Sequence, residues 1–454
     1  MEARSSALPV LSRHSRSSES AAAAGPATCD VLVVGGGPAG ATVAALLAER
    51  GRHVVLVEKD RHPRFHIGES LLPLNLPLFE RLGVAEEIKR IGMLKYGVEF
   101  VSPYHGKAVS FEFANAWDKS FAYSYHVRRS EFDHVLLNNA RAKGADVIEG
   151  CRINDVDFIE EGGAVAKGQD EDGQARSWRA RFLVDASGRD TLLAGQLGIK
   201  RRNRRHSSAA VFAHFTGARR LPGKAEGHIS ISWFDQGWFW FIPLADGITS
   251  IGAVCRPEHL KSRKMDLTSF FMTTIAMCPE IAERLKDATL AGPVTATGNY
   301  SYRAERMTGK DFILLGDAFA FIDPVFSSGV YLAMTSAVHG ADAVEICLRD
   351  PLAASRALKR FDAQVRPGLD ALSWFIYRIR TPAFRDLFMA PRNYFRMEEA
   401  VLSLLAGDIF GHSPIRSRLM VFKALYYIWS LCRLKSSVRV WRMRRQDVRV
   451  GAVG

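Results

Sequence analysis

The hydrophobic pattern of the chain changes period several times, and those changes mark out its elements. The run Val31–Val34 is wholly apolar; a glycine turn and an Ala-rich helical stretch to about Arg50 follow, and a second apolar run ends at Glu58. Strand, helix and strand in that order open a βαβ unit and predict a parallel sheet. Two later segments enter a sheet in the same way. "ARFLVDASGRDT" is an apolar strand running into Asp185 and Gly188, and "DFILLGDAFAFIDPVFSSGVYLA" is another running into Gly316 and Asp317 and then into a helix. Between them, Ser207 to Cys255 alternates as strands of a second sheet do, and a helix is predicted from about Asp266 to Lys286. Beyond Cys347 the period is helical.

A chain of 454 residues is too long for one ordinary domain and short for three. The first domain is expected in pieces, from Cys29 to about Val101, from Phe121 to about Gly195 and from Tyr300 to Cys347, all within 29–347. A mainly antiparallel sheet is interleaved at about 102–120 and 200–299, and 348–454 forms a helical C-terminal region. Residues 1–28 are rich in Ser, Ala and Arg and lack the apolar core of a secretory signal, so they read as a disordered leader.

Charge changes this picture only at the end of the chain. The net charge is +13, and between Arg416 and Arg449 ten Lys or Arg stand against the single acid Asp447. The apolar stretch from Leu419 to Leu431 is too short to span a bilayer. Its basic and aromatic character permits contact with a membrane surface or an acidic carrier protein; a packed helix with a solvated basic face is the alternative. "KRRNRRH", Lys200 to His206, reads as a solvated basic loop and not a nucleic-acid patch. Six cysteines without a CxxC pair read as reduced thiols in a cytoplasm, and no metal site is implied.

Gly35, Gly37 and Gly40 fall on GxGxxG directly after the first strand. The first permits the tight turn, the second lets a pyrophosphate approach the backbone, and the third lets the helix pack on the strand. Pro38 and Ala39 complete that turn, whose helix N-terminus favours phosphate. Glu58 ends the second strand, about twenty residues on, where a carboxylate accepts from ribose hydroxyls, and Lys59 follows it. Asp185 with Gly188, and Gly316 with Asp317, are the strand ends that place a carboxylate on a ribityl hydroxyl and helix amides near a flavin ring or diphosphate. Together they indicate FAD.

With "VRRSEFDHVLL" added, which contains Arg128, the chain resembles the flavoprotein monooxygenase class. Within it, "WFWFIP" and "FIDPVFSSG" resemble two motifs of the flavin-dependent halogenases, through Trp238, Trp240, Ile242 and Pro243 and through Phe321, Pro324, Ser327 and Gly329. The similarity extends through "RFHIGESLLP", "GMLKYGVEF" and "FMAPRNYFRMEEAVLSLLAGDIF", and so covers Cys29 to Phe410. It is closest to the branch acting on phenols and pyrroles, often on a carrier protein.

The resemblance implies an α/β fold: a GR2-type, Rossmann-like FAD domain interleaved with an antiparallel substrate sheet, plus a helical C-terminal region. It implies FAD reduced by a separate flavin reductase, dioxygen, and chloride or bromide. A flavin C(4a)-hydroperoxide would oxidise halide held at Ser328 and Gly329 to hypohalous acid, which travels a tunnel to an active-site lysine and then to an electron-rich aromatic ring. Lys95 matches that lysine. Trp238 and Trp240 would separate substrate from flavin; Ser327, Glu69 and Ser70 would line the passage, and Arg128 would support FAD, with Arg129 in solvent. Tryptophan halogenases place a glutamate two residues after the motif proline; this chain has Phe326, which disfavours free tryptophan.

The residues alone leave blander readings open. "WFWFIP" also fits a strand whose alternate aromatics fill a core, the serines an ordinary helix cap, Lys95 an exposed strand lysine, and Glu69 with Ser70 a cap. The rival functions are an NAD(P)H-dependent aromatic hydroxylase, a geranylgeranyl-reductase-like flavoprotein and a silent FAD-binding protein.

Overall fold

The computed structural model describes residues 25–203, 206–298, 301–391, 393–410 and 414–452. Residues 1–24 of the expected leader and two of the basic "KRRNRRH" segment lie outside the described residues. The first strand, Ala27–Val34, takes in the last two residues assigned to the leader.

Strand Ala27–Val34 is the centre of a parallel sheet, with Ala175–Asp185 and Phe312–Leu314 on one side and Val54–Val57 and Asp146–Ile148 on the other. Val31 to Val33 and Val54 to Val57 are buried, as strands covered on both faces must be. Helix Pro38–Glu49 packs against both Arg129–Ala142 and Gly329–Arg349. Its entry needs glycine twice. Gly35 has φ +103, and a Cβ on Gly40 would lie 1.8 Å from the Gly35 carbonyl oxygen.

The second sheet runs Thr289–Leu290, Ala209–Thr216, Thr249–Cys255, Gly237–Pro243, Ile229–Phe234, Gly97–Ser102 and Lys107–Glu112. All its pairings are antiparallel except Ile229–Phe234 with Gly97–Ser102. The boundary expected near residue 102 therefore moves back, because strand Gly97–Ser102 belongs to this sheet.

Period-2 alternation splits the strand Gly237–Pro243 between two environments. Phe239 and Phe241 join a core with Val211 and Phe215 under Phe271 and Ile281, and each such buried ring contributes about 1.5–3 kcal/mol. Trp238, Trp240 and Ile242 face the other way, into the main core. The helix expected from Asp266 to Lys286 is two helices, Leu267–Ala276 and Pro279–Arg284. Pro279 forces Cys278 into extended backbone and ends the first of them.

The basic stretch begins as a strand, Lys200–Arg202, paired with Tyr302–Ala304, and the Lys200 ammonium lies 4.2 Å from the Tyr302 ring centroid. It is not wholly a loop. Among the described residues, five α-helices follow helix Gly329–Arg349: Ala354–Ile376, Pro382–Met389, Met397–Ala406, Ile415–Cys432 and Leu434–Ala452. Buried Asp447 accepts from Arg256 Nε at 2.8 Å and ties the last helix to the body. Among the described residues no helix is long and apolar enough to cross a membrane.

Gly40→Ala should destabilise the parallel-sheet core by about 1–3 kcal/mol, because the methyl meets backbone that cannot move aside. Chemical denaturation followed by circular dichroism checks this, with Gly195→Ala as the comparison at an open helical position of ordinary backbone.

Candidate active site

A cavity of about 580 Å³ lies between the two sheets, and both sequence fingerprints reach it. At one end the turn Gly35, Gly37, Pro38 and Ala39 forms the wall. A Cβ on Gly37 would meet nothing nearer than an Arg64 nitrogen at 4.0 Å, so the backbone is open to a diphosphate. Glu58 is buried there and accepts from Gly36 N at 2.6 Å and Asp60 N at 2.9 Å. Lys59 also lines the wall, paired with Asp190. Gly40 and Gly316 are not on the wall; they hold it from behind.

Along the same cavity stand Gly188, Asp317, Pro324, Ser327, Ser328 and Gly329. Burial pushes the Asp317 carboxyl up to about 7, against the lowering pull of Arg129 and Arg189. Ser327 sits in left-handed backbone at φ +55, which turns the chain so that the N-terminus of helix Gly329–Arg349 opens on the cavity. Ser328 is the first flanking residue of that helix and makes no side-chain capping bond, so the ordinary cap reading does not describe it. A Cβ on Gly329 would meet nothing within 4 Å. The donor set and the open glycine positions fit the diphosphate and ribose of an FAD.

Trp238, Trp240 and Ile242 close the side formed by the second sheet. The Trp240 indole fits because Gly252, its partner across the sheet, has no side chain: a Cβ there would stand 2.1 Å from the ring. Its Nε1 donates to Ser250 Oγ at 3.1 Å. Pro243 ends the strand away from the wall, and Phe326 is buried but does not line the cavity.

Lys95 ends the short strand Met93–Lys95, paired with Ser124–His126. It is 2% exposed, so the exposed-lysine reading fails. Its Nζ donates to Ser70 Oγ at 2.9 Å and to the Leu71 carbonyl at 3.0 Å, and lies 5.2 Å from the Phe113 ring centroid. Burial lowers its pKa to about 7. Lys95 is not on the cavity wall, but its partner Ser70 is, and so is Glu69. Glu69 is no helix cap: one oxygen accepts from His214 Nε2 at 2.6 Å while the other is buried without a partner.

Pro243 and Phe326 thus do not line the passage as expected, and the expectations for Arg128, Arg129 and Asp185 are also overturned. Arg128 does not reach the cavity; it is partly exposed and pairs with Asp246, while Arg129 is the buried one. Arg129 lines the wall and grips Asp133 through two hydrogen bonds of 2.8 and 3.0 Å. An i,i+4 Arg–Asp pair in "RRSEFD" is the signal that would have chosen it. Asp185 also fails to reach the cavity, because its carboxylate accepts from Ser187 N and Leu193 N at 2.9 and 2.8 Å. The neighbouring Ser187, Gly188 and Arg189 take its place on the wall. The sequence reading also missed Gly252, which only its cross-strand neighbour Trp240 makes meaningful, and His214, which only its contact with the distant Glu69 does.

A parallel βαβ sheet with a GxGxxG turn, a second sheet laid over it and a cavity between them define a dinucleotide-binding flavoprotein. The family model described as "Tryptophan halogenase" matches residues 30–119 and 104–380, and the chain belongs to that family. It is 30% identical to the 1H-pyrrole-2-carbonyl-[peptidyl-carrier protein] chlorinase of Pseudomonas fluorescens, over 84% of this chain and 90% of that protein. It is 37% identical to the Tryptophan 2-halogenase of Chondromyces crocatus over 70% of this chain, and spans 62% of that relative's length. The myxobacterial chondrochloren halogenase CndH, an FAD-dependent halogenase, superposes with TM-score 0.75 at 31% identity, covering 94% of this chain and 97% of that one. These relatives make the chain an FAD-dependent, oxidoreductase-type protein.

An unfolded lysine binds its proton up to about 10.5, whereas folded Lys95 releases it near 7. The unfolded state therefore holds more protons between those values, so this site penalises folding fully below 7 and progressively less above it. Lys95→Met should show its greatest stability relative to wild type below pH 7 and lose that advantage as pH rises toward 10.5. Thermal melts of both proteins across that range check the sign.

Proposed function

We propose that the protein is a halogenase that places chlorine or bromine on an electron-rich phenol or pyrrole, free or carried on an acyl or peptidyl carrier protein. The observation that carries the reading is Lys95, a buried amine just behind the cavity wall that donates to the wall residue Ser70, in a cavity that both fingerprints line. When bound, FAD reduced by a separate flavin reductase supplies, with dioxygen, the oxidising equivalents that turn halide into hypohalous acid.

The chain's own residues do the rest. Gly35 and Gly37 admit the diphosphate, and Glu58 orients the adenosine ribose. The N–H groups of Ser328 and Gly329 hold halide at the start of a helix, where the dipole favours an anion. Trp238, Trp240 and Ile242 keep the aromatic substrate away from the flavin side, so oxygen is not delivered to the ring directly.

With a pKa near 7, Lys95 is partly neutral at physiological pH. The neutral amine can attack hypochlorous acid: an N–Cl bond forms, the O–Cl bond breaks, and the amine proton leaves with hydroxide as water. Transfer of chlorine to the ring, with loss of the ring proton, regenerates the amine. In its charged form the same group hydrogen-bonds hypochlorous acid and steers it.

The phenol or pyrrole class follows from Phe326, which offers no carboxylate where tryptophan halogenases have one. The relative named Tryptophan 2-halogenase favours free tryptophan as a second reading. The reading places the protein in a cytoplasm, with its cysteines unpaired among the described residues.

Mass spectrometry of a panel of phenols, pyrroles and tryptophan, with a flavin reductase and chloride or bromide, should show halogenated product from wild type. Lys95→Ala should abolish it while FAD binding stays within about twofold. Product from Lys95→Ala at the wild-type rate would remove the amine from the reaction, and product from tryptophan alone would select the second reading.

A further inference from the structure

We propose that the outward face of helices Ile415–Cys432 and Leu434–Ala452 docks on an anionic lipid bilayer, from one side and without spanning it. The helix Ile415–Cys432 buries a stripe against the body: Ile415, Leu419, Phe422 and Tyr426. An ordinary surface helix turns polar residues to the opposite side. Here that side carries Met420, Ile428 and Leu431, exposed by 64%, 57% and 71%. The helical period puts these three on one stripe, away from the buried one.

The next helix continues the pattern. Leu434, Val438 and Trp441 follow one another at i, i+4 and i+7, and all three are exposed. Lys435, Arg439, Arg442 and Arg445 border this second ridge, and none has a carboxylate partner among the described residues. The Arg445 guanidinium lies 4.0 Å from the Trp441 ring centroid. The one acid of the helix, Asp447, points inward to Arg256 and leaves the outer face wholly basic.

Three occupants could cover such a face. A second copy would set the same basic residues across a two-fold axis from themselves, and like charges repel there. An acidic protein answers the charge but must match the shape of two apolar ridges. A bilayer with anionic head groups answers both, because acyl chains accept side chains of any shape while phosphates meet the flanking Lys and Arg. No described helix crosses a membrane, so the contact is with one leaflet.

Flotation of the full chain with FAD tests the proposal without turnover, so its result is independent of the halogenase reading. Vesicles of phosphatidylcholine alone should retain little protein, and vesicles with added phosphatidylglycerol should retain most of it, with a loss at high salt. The triple variant Ile428→Ser, Leu431→Ser, Trp441→Ser, which keeps every charge, should partition at least tenfold more weakly, as should Lys435→Glu, Arg439→Glu, Arg442→Glu. Retained FAD and an unchanged mass in solution show that each variant is folded; if one is not, the wild-type vesicle comparison decides. Wild type that ignores phosphatidylglycerol overturns the proposal. So does flotation of the apolar variant at the wild-type level, which would indicate a charge-only contact such as an acidic protein makes. A wild-type dimer that both variants dissociate overturns it in favour of a second copy.

Discussion

The amine of Lys95 sets the terms for the centre of this molecule. A lysine withdrawn from water loses its hydration, and no carboxylate figures among the causes of its shifted proton affinity. The surrounding chain supplies acceptors instead: Ser70 Oγ, the Leu71 carbonyl and the face of Phe113. The first two belong to the "GESLLP" segment and the third to the turn after Lys107–Glu112, so the amine joins both to its own short ladder, Met93–Lys95. Two residues after Lys95 the chain enters the second sheet at Gly97, and the amine therefore sits at the seam between the sheets. A Cβ on Gly227 would lie 1.8 Å from the Leu94 carbonyl oxygen, which shows how closely that seam is packed.

The second sheet does two jobs with one alternating strand. Phe239 and Phe241 bind the sheet to its covering helices, while Trp238 and Trp240 make the wall of the cavity. Dividing the aromatics in this way makes the wall stiff, because any shift of the indoles must move the core behind them. Gly252 completes the arrangement by leaving room for Trp240. The opposite wall is organised by charge. Glu58 is held by backbone N–H groups, and Arg129 is locked by Asp133, so the charged groups facing a cofactor are positioned before it binds.

Much of this was legible along the chain. The glycine turn, the two later strands and the tryptophan strand read correctly as segments, because each depends on a spacing of a few residues. The errors fell where a side chain had to choose between two directions. Asp185 was expected at a cofactor and instead caps the next turn through Ser187 N and Leu193 N. Arg128 and Arg129 are neighbours with opposite fates, since the residue that starts a helix and the one before it point to different sides. The break at Pro279 was visible in the sequence and was passed over within a longer helical period.

Sequence alone determined the class of fold and the cofactor type, because the backbone geometry of a GxGxxG turn and the periods of strand and helix are local constraints. It also determined that the C-terminal helices are basic and too short in apolar length to span a bilayer. Tertiary structure decided which of the polar residues face the cavity, that Lys95 is desolvated, and that the apolar side of the last two helices looks outward. Those outcomes depend on what packs against each residue from distant parts of the chain, and burial, unlike periodicity, is a property of the whole fold.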